Sequence, residues 1–237
     1  MNAKYESILR AARLSFYRTI RVGSLMLIAS TAQAQTYTTL DATTGLYGTT
    51  SAWGVSGSHV VGNVRDSLGK VRGFLYDGST YTTVSAPLGV YGTWARGIDG
   101  NNYVGYYQDG ASKVHGFLFN GSSYVNLDNP MSVGATMPRA VSGNKVVGFY
   151  ESGFGAAAFL YNGSTYTTLS APLGFGGTIA YGISGNNVVG YYVDSSYKDN
   201  GFIYNGSTYT TLNHPLGAKG TILTGISGNN IVGQYID

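Results

Sequence analysis

The chain has no cysteine, so neither a disulfide framework nor thiolate-bound metal can hold it together, and stability has to come from packing and closure. Charge is scarce as well, at 11% of residues. No apolar run in the body of the chain approaches the roughly 18 residues that a membrane helix needs. Helical periodicity is missing after residue 34, and the 36 glycines recur too often for stable helices. Metal-ligand clusters and phosphate-cradling loops are also missing, so no cofactor and no metal are expected. The body of the chain therefore reads as all-β.

The first 34 residues differ from the rest. Lys4, Arg10, Arg13, Arg18 and Arg21 precede the apolar run Val22 to Ala29 and the small-residue site Ala32-Gln33-Ala34. This pattern predicts a signal peptide at residues 1–34 and export of residues 35–237, hence an extracellular location. Removing the leader takes five basic residues and one acidic, leaving nine basic against ten acidic. The pI near 8.9 thus belongs to the leader. The exported part has no basic patch to support nucleic-acid binding and no membrane span.

What the sequence does have is a period. Gly54, Gly97, Ala140, Gly182 and Gly225 are spaced by 43, 43, 42 and 43 residues. Phe74, Phe117, Phe159 and Phe202 keep the same beat, as do Tyr81, Tyr124, Tyr166 and Tyr209. A period of about 40 to 45 residues is that of β-propeller blades. Each copy divides into four strand-like runs. A Ser-Gly-Asn-Asn type of turn separates the first two, and Asp77-Gly78, Asn120-Gly121, Asn162-Gly163 or Asn205-Gly206 separates the last two as a hairpin. Pro87, Pro130, Pro172 or Pro215 follows the fourth run.

Four whole repeats are flanked by partial ones. Thr36 to Leu40 reads as a fourth strand with nothing before it, and Gly225 to Asp237 as a first and second strand with nothing after. The expected fold is a five-bladed β-propeller whose last blade is completed by the N-terminal strand and is one strand short.

The repeats resemble the HAF repeats of bacterial extracellular proteins: Gly-Ile, then Val-Gly-Tyr-Tyr, then His-Gly-Phe-Leu-Tyr. Of that triplet only Val114-His115-Gly116-Phe117 keeps the histidine, with Arg72, Ala157 and Asn200 in its place elsewhere. The resemblance implies a secreted propeller-like repeat protein. It carries over no catalytic residue.

Three sets of residues invite a chemical reading. Asp66, Asp109, Glu151, Asp194 and Asp237 end the second run of each copy, where five carboxylates suggest calcium but Asp at a loop mouth is better read as a turn cap. The position before the repeat glycine varies as Trp53, Arg96, Arg139, Tyr181 and Thr224 between near-constant flanks. A large, varied, partly polar set on the innermost strand is the best candidate for a ligand site: Trp53, Trp94, Arg96, Arg139 and Tyr181, with Trp94 on the same side of its strand as Arg96. The competing role for these side chains is contact between blades. The 21 tyrosines can stack on sugars, although alternating strand tyrosines serve more often in packing.

Catalysis finds little support. His59, His115 and His214 occupy different repeat positions, with no carboxylate or serine at a triad-like spacing. The reading is a secreted, non-enzymatic binding module with cell-surface or matrix glycans as partners. A glycan-active hydrolase or lyase would need converging carboxylates, and only Asp99, standing where the other copies have serine, hints at one. A purely structural exoprotein is the third reading.

Overall fold

Runs of β-branched and aromatic residues broken every few positions by Gly, Asn and Ser can only satisfy their backbone groups in short paired strands. In the computed structural model, which describes residues 39–42 and 50–237, they form eighteen strands and no helix among the described residues. The predicted signal peptide, residues 1–34, and Thr36 to Thr38 of the predicted N-terminal strand lie outside the described residues.

Repeat 1 comprises β1 (Ser51–Ser56), β2 (His59–Arg65), β3 (Val71–Tyr76) and β4 (Tyr81–Val84). Repeat 2 comprises β5 (Gly92–Asp99), β6 (Asn102–Gln108), β7 (Val114–Asn120) and β8 (Tyr124–Asn126). Repeat 3 comprises β9 (Thr136–Ser142), β10 (Lys145–Ser152), β11 (Gly155–Tyr161) and β12 (Tyr166–Leu169). Repeat 4 comprises β13 (Thr178–Ser184), β14 (Asn187–Val193), β15 (Asp199–Tyr204) and β16 (Tyr209–Thr211), and repeat 5 has β17 (Gly220–Ser227) and β18 (Asn230–Ile236). Within each repeat, strands consecutive in sequence pair antiparallel. Single parallel bridges, Val71 to Gly92 and Asp199 to Gly220, link repeats 1 to 2 and 4 to 5.

The hairpins use their Asn-Gly signal in a four-residue loop rather than a two-residue one. Tyr76 pairs with Tyr81, and the Asp77 carboxylate accepts the N–H groups of Ser79 and Thr80 at 2.8 and 2.7 Å. Asn120, Asn162 and Asn205 cap their loops in the same way. The next residue, Gly78, Gly121, Gly163 or Gly206, has φ between 88° and 103°, which a side chain would oppose.

The core lies between neighbouring repeats. Phe74, Phe117, Phe159 and Phe202 are fully buried, each meeting the tyrosine of its own fourth strand at ring centroids 5.5 or 5.6 Å apart. Each such ring contributes about 1.5–3 kcal/mol by burial, and an edge contact about 0.5–1.5 kcal/mol more. The end of one fourth strand then covers the next repeat, as Val84 and Ala86 of repeat 1 do over Phe117. Ala42 stands in the same relation to Val64 and Phe74 of repeat 1. Its N–H bonds to Thr50 Oγ1 as Ala86 N–H bonds to Thr93 Oγ1.

The innermost strands β1, β5, β9, β13 and β17 touch in succession and are tied by one recurring bond. Ser56 Oγ accepts from Gly100 N–H, Asp99 Oδ2 from Gly143, Ser142 Oγ from Gly185 and Ser184 Oγ from Gly228, at 2.7–3.2 Å. Asp99 therefore does the work of the serines it replaces. The sheets do not close into a ring among the described residues: Trp53 and Val55 on β1, and Val232 and Ile236 on β18, remain 41–70% exposed.

Candidate functional site

The variable position is not an ordinary strand residue. In every first strand the register with the second strand skips one residue, and the skipped residue is Trp53, Arg96, Arg139, Tyr181 or Thr224. Each is the extra residue of a β-bulge, a device that re-aims a side chain out of the regular ladder. The sequence reading treated this run as a regular alternating strand, which the structure corrects. The cause is visible opposite the bulge. A Cβ on Gly62, Gly105, Gly148, Gly190 or Gly233 would lie 1.9–2.3 Å from a carbonyl oxygen of the bulged strand, so only glycine lets the two backbones approach this closely. Pro138, whose missing N–H would break an interior ladder, sits on the edge strand β9 next to its bulge.

The bulges and one position of each second strand build a continuous ladder of rings and guanidinium groups. The Arg96 guanidinium lies 4.2 Å from the centre of the Trp53 ring in repeat 1 and 5.3 Å from Tyr106 in its own repeat. Arg96 Nη2 also donates to Tyr106 Oη at 2.7 Å. Trp94 stacks on Tyr106 at 5.1 Å and 15°. The Arg139 guanidinium is 5.9 Å from Tyr106, 5.1 Å from Phe149 and 5.6 Å from Tyr181. Tyr181 stacks on Tyr191 at 6.0 Å. All five residues predicted from the sequence are thus brought together across repeats 1 to 4. Thr224 of repeat 5 is exposed and makes no ring contact.

The site set read from the sequence leaves out the rungs supplied by Tyr106 and Tyr191, whose pairs read there as packing, and does not name Phe149. Their signal was the first position of the pairs Tyr106-Tyr107, Phe149-Tyr150 and Tyr191-Tyr192. The second member of each pair faces the other way and is buried in the core, where Tyr150 and Tyr192 bond Thr168 and Thr211. Period-2 alternation splits each pair between the ladder and the core.

Electrostatically the ladder is unbalanced. Burial, and then the neighbouring Arg96 charge, pull the Arg139 guanidinium below its ordinary value. Burial first and then Tyr181 and Asp199 push the Tyr191 hydroxyl up to about 12. The Nε atoms of Arg96 and Arg139 are buried without a hydrogen-bond partner.

The acidic residues behave as turn caps. Oδ1 of Asp66, Asp109 and Asp194 each accepts two N–H groups of its own loop at 2.8–3.1 Å. Oδ2 accepts from the residue at the HAF histidine position: Arg72 at 2.7 Å, His115 at 3.1 Å and Asn200 at 2.9 Å. Where that position is Ala157, the acid is Glu151, whose carboxylate accepts from Ala135 N–H instead. His115, read as isolated in the sequence, is held on its other side by Asp128 at 2.6 Å. With a carboxylate on each nitrogen, it has none free to act as a base. Asp66, Asp109 and Asp194 point their carboxylates into their own loops, and no group of three potential metal-ligating side chains occurs among the described residues. A shallow recess of about 220 Å³ between repeats 3 and 4, bordered by Leu173, Tyr192 and Phe202, lies on the core side of its sheet and bears no charge.

No protein-family model and no curated protein matches the chain. Among solved structures it is similar to the fucose-specific lectin of Aleuria aurantia, with 14% identity over 78% of this chain and 73% of that one and a TM-score of 0.45. Another structure of that lectin is described as a six-bladed β-propeller with a novel mode of fucose recognition, at a TM-score of 0.43. The SapL1 lectin in complex with α-methyl fucoside is similar at 13% identity over 77% of this chain and 70% of that one, with a TM-score of 0.48. At TM-scores below 0.5, these likenesses bear neither on how many repeats close a ring nor on what this chain binds.

Proposed function

We propose that the chain is a secreted, non-enzymatic saccharide-binding module, its HAF-like repeats being blades of a five-bladed β-propeller and its ligand lying along the ladder. One observation carries this reading: a bulge in each repeat turns a variable side chain out of the constant scaffold, and in four repeats those side chains join into one row. Trp53 and Tyr181 offer partly exposed flat rings, and a pyranose presents an apolar face that stacks on such rings. The hydrolase reading loses its one suggestive residue, since Asp99 is occupied by Gly143 N–H.

A glycan array probed with the exported chain tests the proposal. Binding to a subset of glycans is expected, weakened at least tenfold in Trp53→Ala and in Tyr181→Ala. Array silence from a folded protein, or binding untouched by both substitutions, would leave the ladder as a joint between repeats and nothing more.

A further inference from the structure

Two guanidinium groups face the same tyrosine. Arg96 approaches the Tyr106 ring to 5.3 Å and Arg139 to 5.9 Å. Like charges held this close in a partly dry site repel, and a buried or half-buried cation ordinarily has a carboxylate beside it. Here none is within ion-pairing distance: among the described residues the ion pairs are Arg72 with Asp66, and His115 with Asp109 and Asp128. Asp199 is felt at Tyr191 but is not bonded to either arginine.

Hydrogen bonding leaves the same gap. Arg96 spends one donor on Tyr106, Arg139 donates to nothing among the described residues, and both Nε atoms are buried and unpartnered. Cation–π contacts offset part of this cost, but they leave the net charge uncompensated and the forked donors unused. Repeats 1, 4 and 5 place Trp53, Tyr181 and Thr224 at the same bulge, so the scaffold does not need a cation there.

Resting on the saccharide reading above, we propose that the ligand is an acidic saccharide whose carboxylate or sulfate ester sits between Arg96 and Arg139 while its rings lie on Trp53 and Tyr181. Guanidinium forks match both anions bidentately. The anion removes the repulsion between the two arginines and fills donors the protein leaves open.

Calorimetric titration of the exported chain with a uronic-acid oligosaccharide, a sulfated dextran and neutral dextran separates the possibilities. An acidic probe is expected to bind at least tenfold more tightly than the neutral one, and to weaken as salt rises from 50 to 500 mM. Arg96→Gln and Arg139→Gln should each cost the acidic probe at least tenfold and cost it more than the neutral one, with Arg139→Lys losing less. Which acidic probe binds decides between carboxylate and sulfate. Equal binding of acidic and neutral probes keeps the saccharide reading and overturns the anion site. Acetate and sulfate ions supply an arm independent of glycan binding: one of them should raise the Tm of the wild-type chain and not of the Arg96→Gln/Arg139→Gln variant. The absence of any such difference overturns the anion site even if no glycan binds.

Discussion

One position in the third strand decides how each loop between the second and third strands is tied down. Arg72, His115 and Asn200 all donate to the carboxylate that caps that loop, and in the copy with Ala157 the acid has become Glu151 and turned to another partner. The sequence displayed both columns of residues, yet nothing in it tied one to the other, because they are six apart in the chain and meet only when the loop folds back. Burial lowers the affinity of His115 for its proton, but the hydrogen bonds it donates to Asp128 and Asp109, and then their charges, outweigh burial and raise its pKa above the ordinary 6.5. Its contribution to stability is therefore whole below pH 6.5 and fades as pH rises through the raised value. Asp109 is shifted down, first by the N–H of Lys113 and then by His115, from an ordinary 3.8, so its share is present above that value and lost in acid. The network holds best between these two limits. Melting of wild type and His115→Asn across pH 5 to 9 should show wild type ahead by about 2–4 °C near pH 5.5, with the gap closing toward pH 9. A gap independent of pH would mean that His115 has the same pKa in the folded and unfolded chain.

The first two strands of each repeat form the element on which the ladder depends. Their hydrophobic alternation was legible, and so was the odd behaviour of position 53 and its equivalents. The bulge was not, because an extra residue leaves the composition of a strand unchanged and appears only as a one-residue slip against its partner. The glycine of Val104-Gly105-Tyr106 is its correlate across the strand pair. A Cβ there would sit 1.9 Å from the Trp94 carbonyl oxygen, against backbone atoms of Trp94 and Ala95 with no flexible atom to yield. Gly105→Ala is expected to cost about 3 kcal/mol in urea denaturation and to reduce the near-ultraviolet dichroism of the Trp94–Tyr106 stack. Retention of both signals would place the bulge elsewhere than in this strand pair.

At the scale of the whole molecule, the repeat length, four strands per repeat and the hairpin positions were all readable, since each depends on local residues: Asn or Asp for the cap, Gly for positive φ, alternating rings for the faces. How the ends meet depends on the angle accumulated between neighbouring sheets, which no short stretch records. The joint that sets that angle includes the bond from Ser56, Asp99, Ser142 or Ser184 to a glycine N–H in the following repeat. Asp99→Ser should be close to neutral, because three other joints already use serine, and Asp99→Ala should cost about 1 kcal/mol in the same denaturation assay. A loss in Asp99→Ser as large as that in Asp99→Ala would assign Asp99 a duty beyond the joint. That bond asks of the adjoining unit only a free amide at a turn, so it is indifferent to which unit that is. In-frame gain or loss of a 43-residue segment would leave this tie between innermost strands in place at each new neighbour.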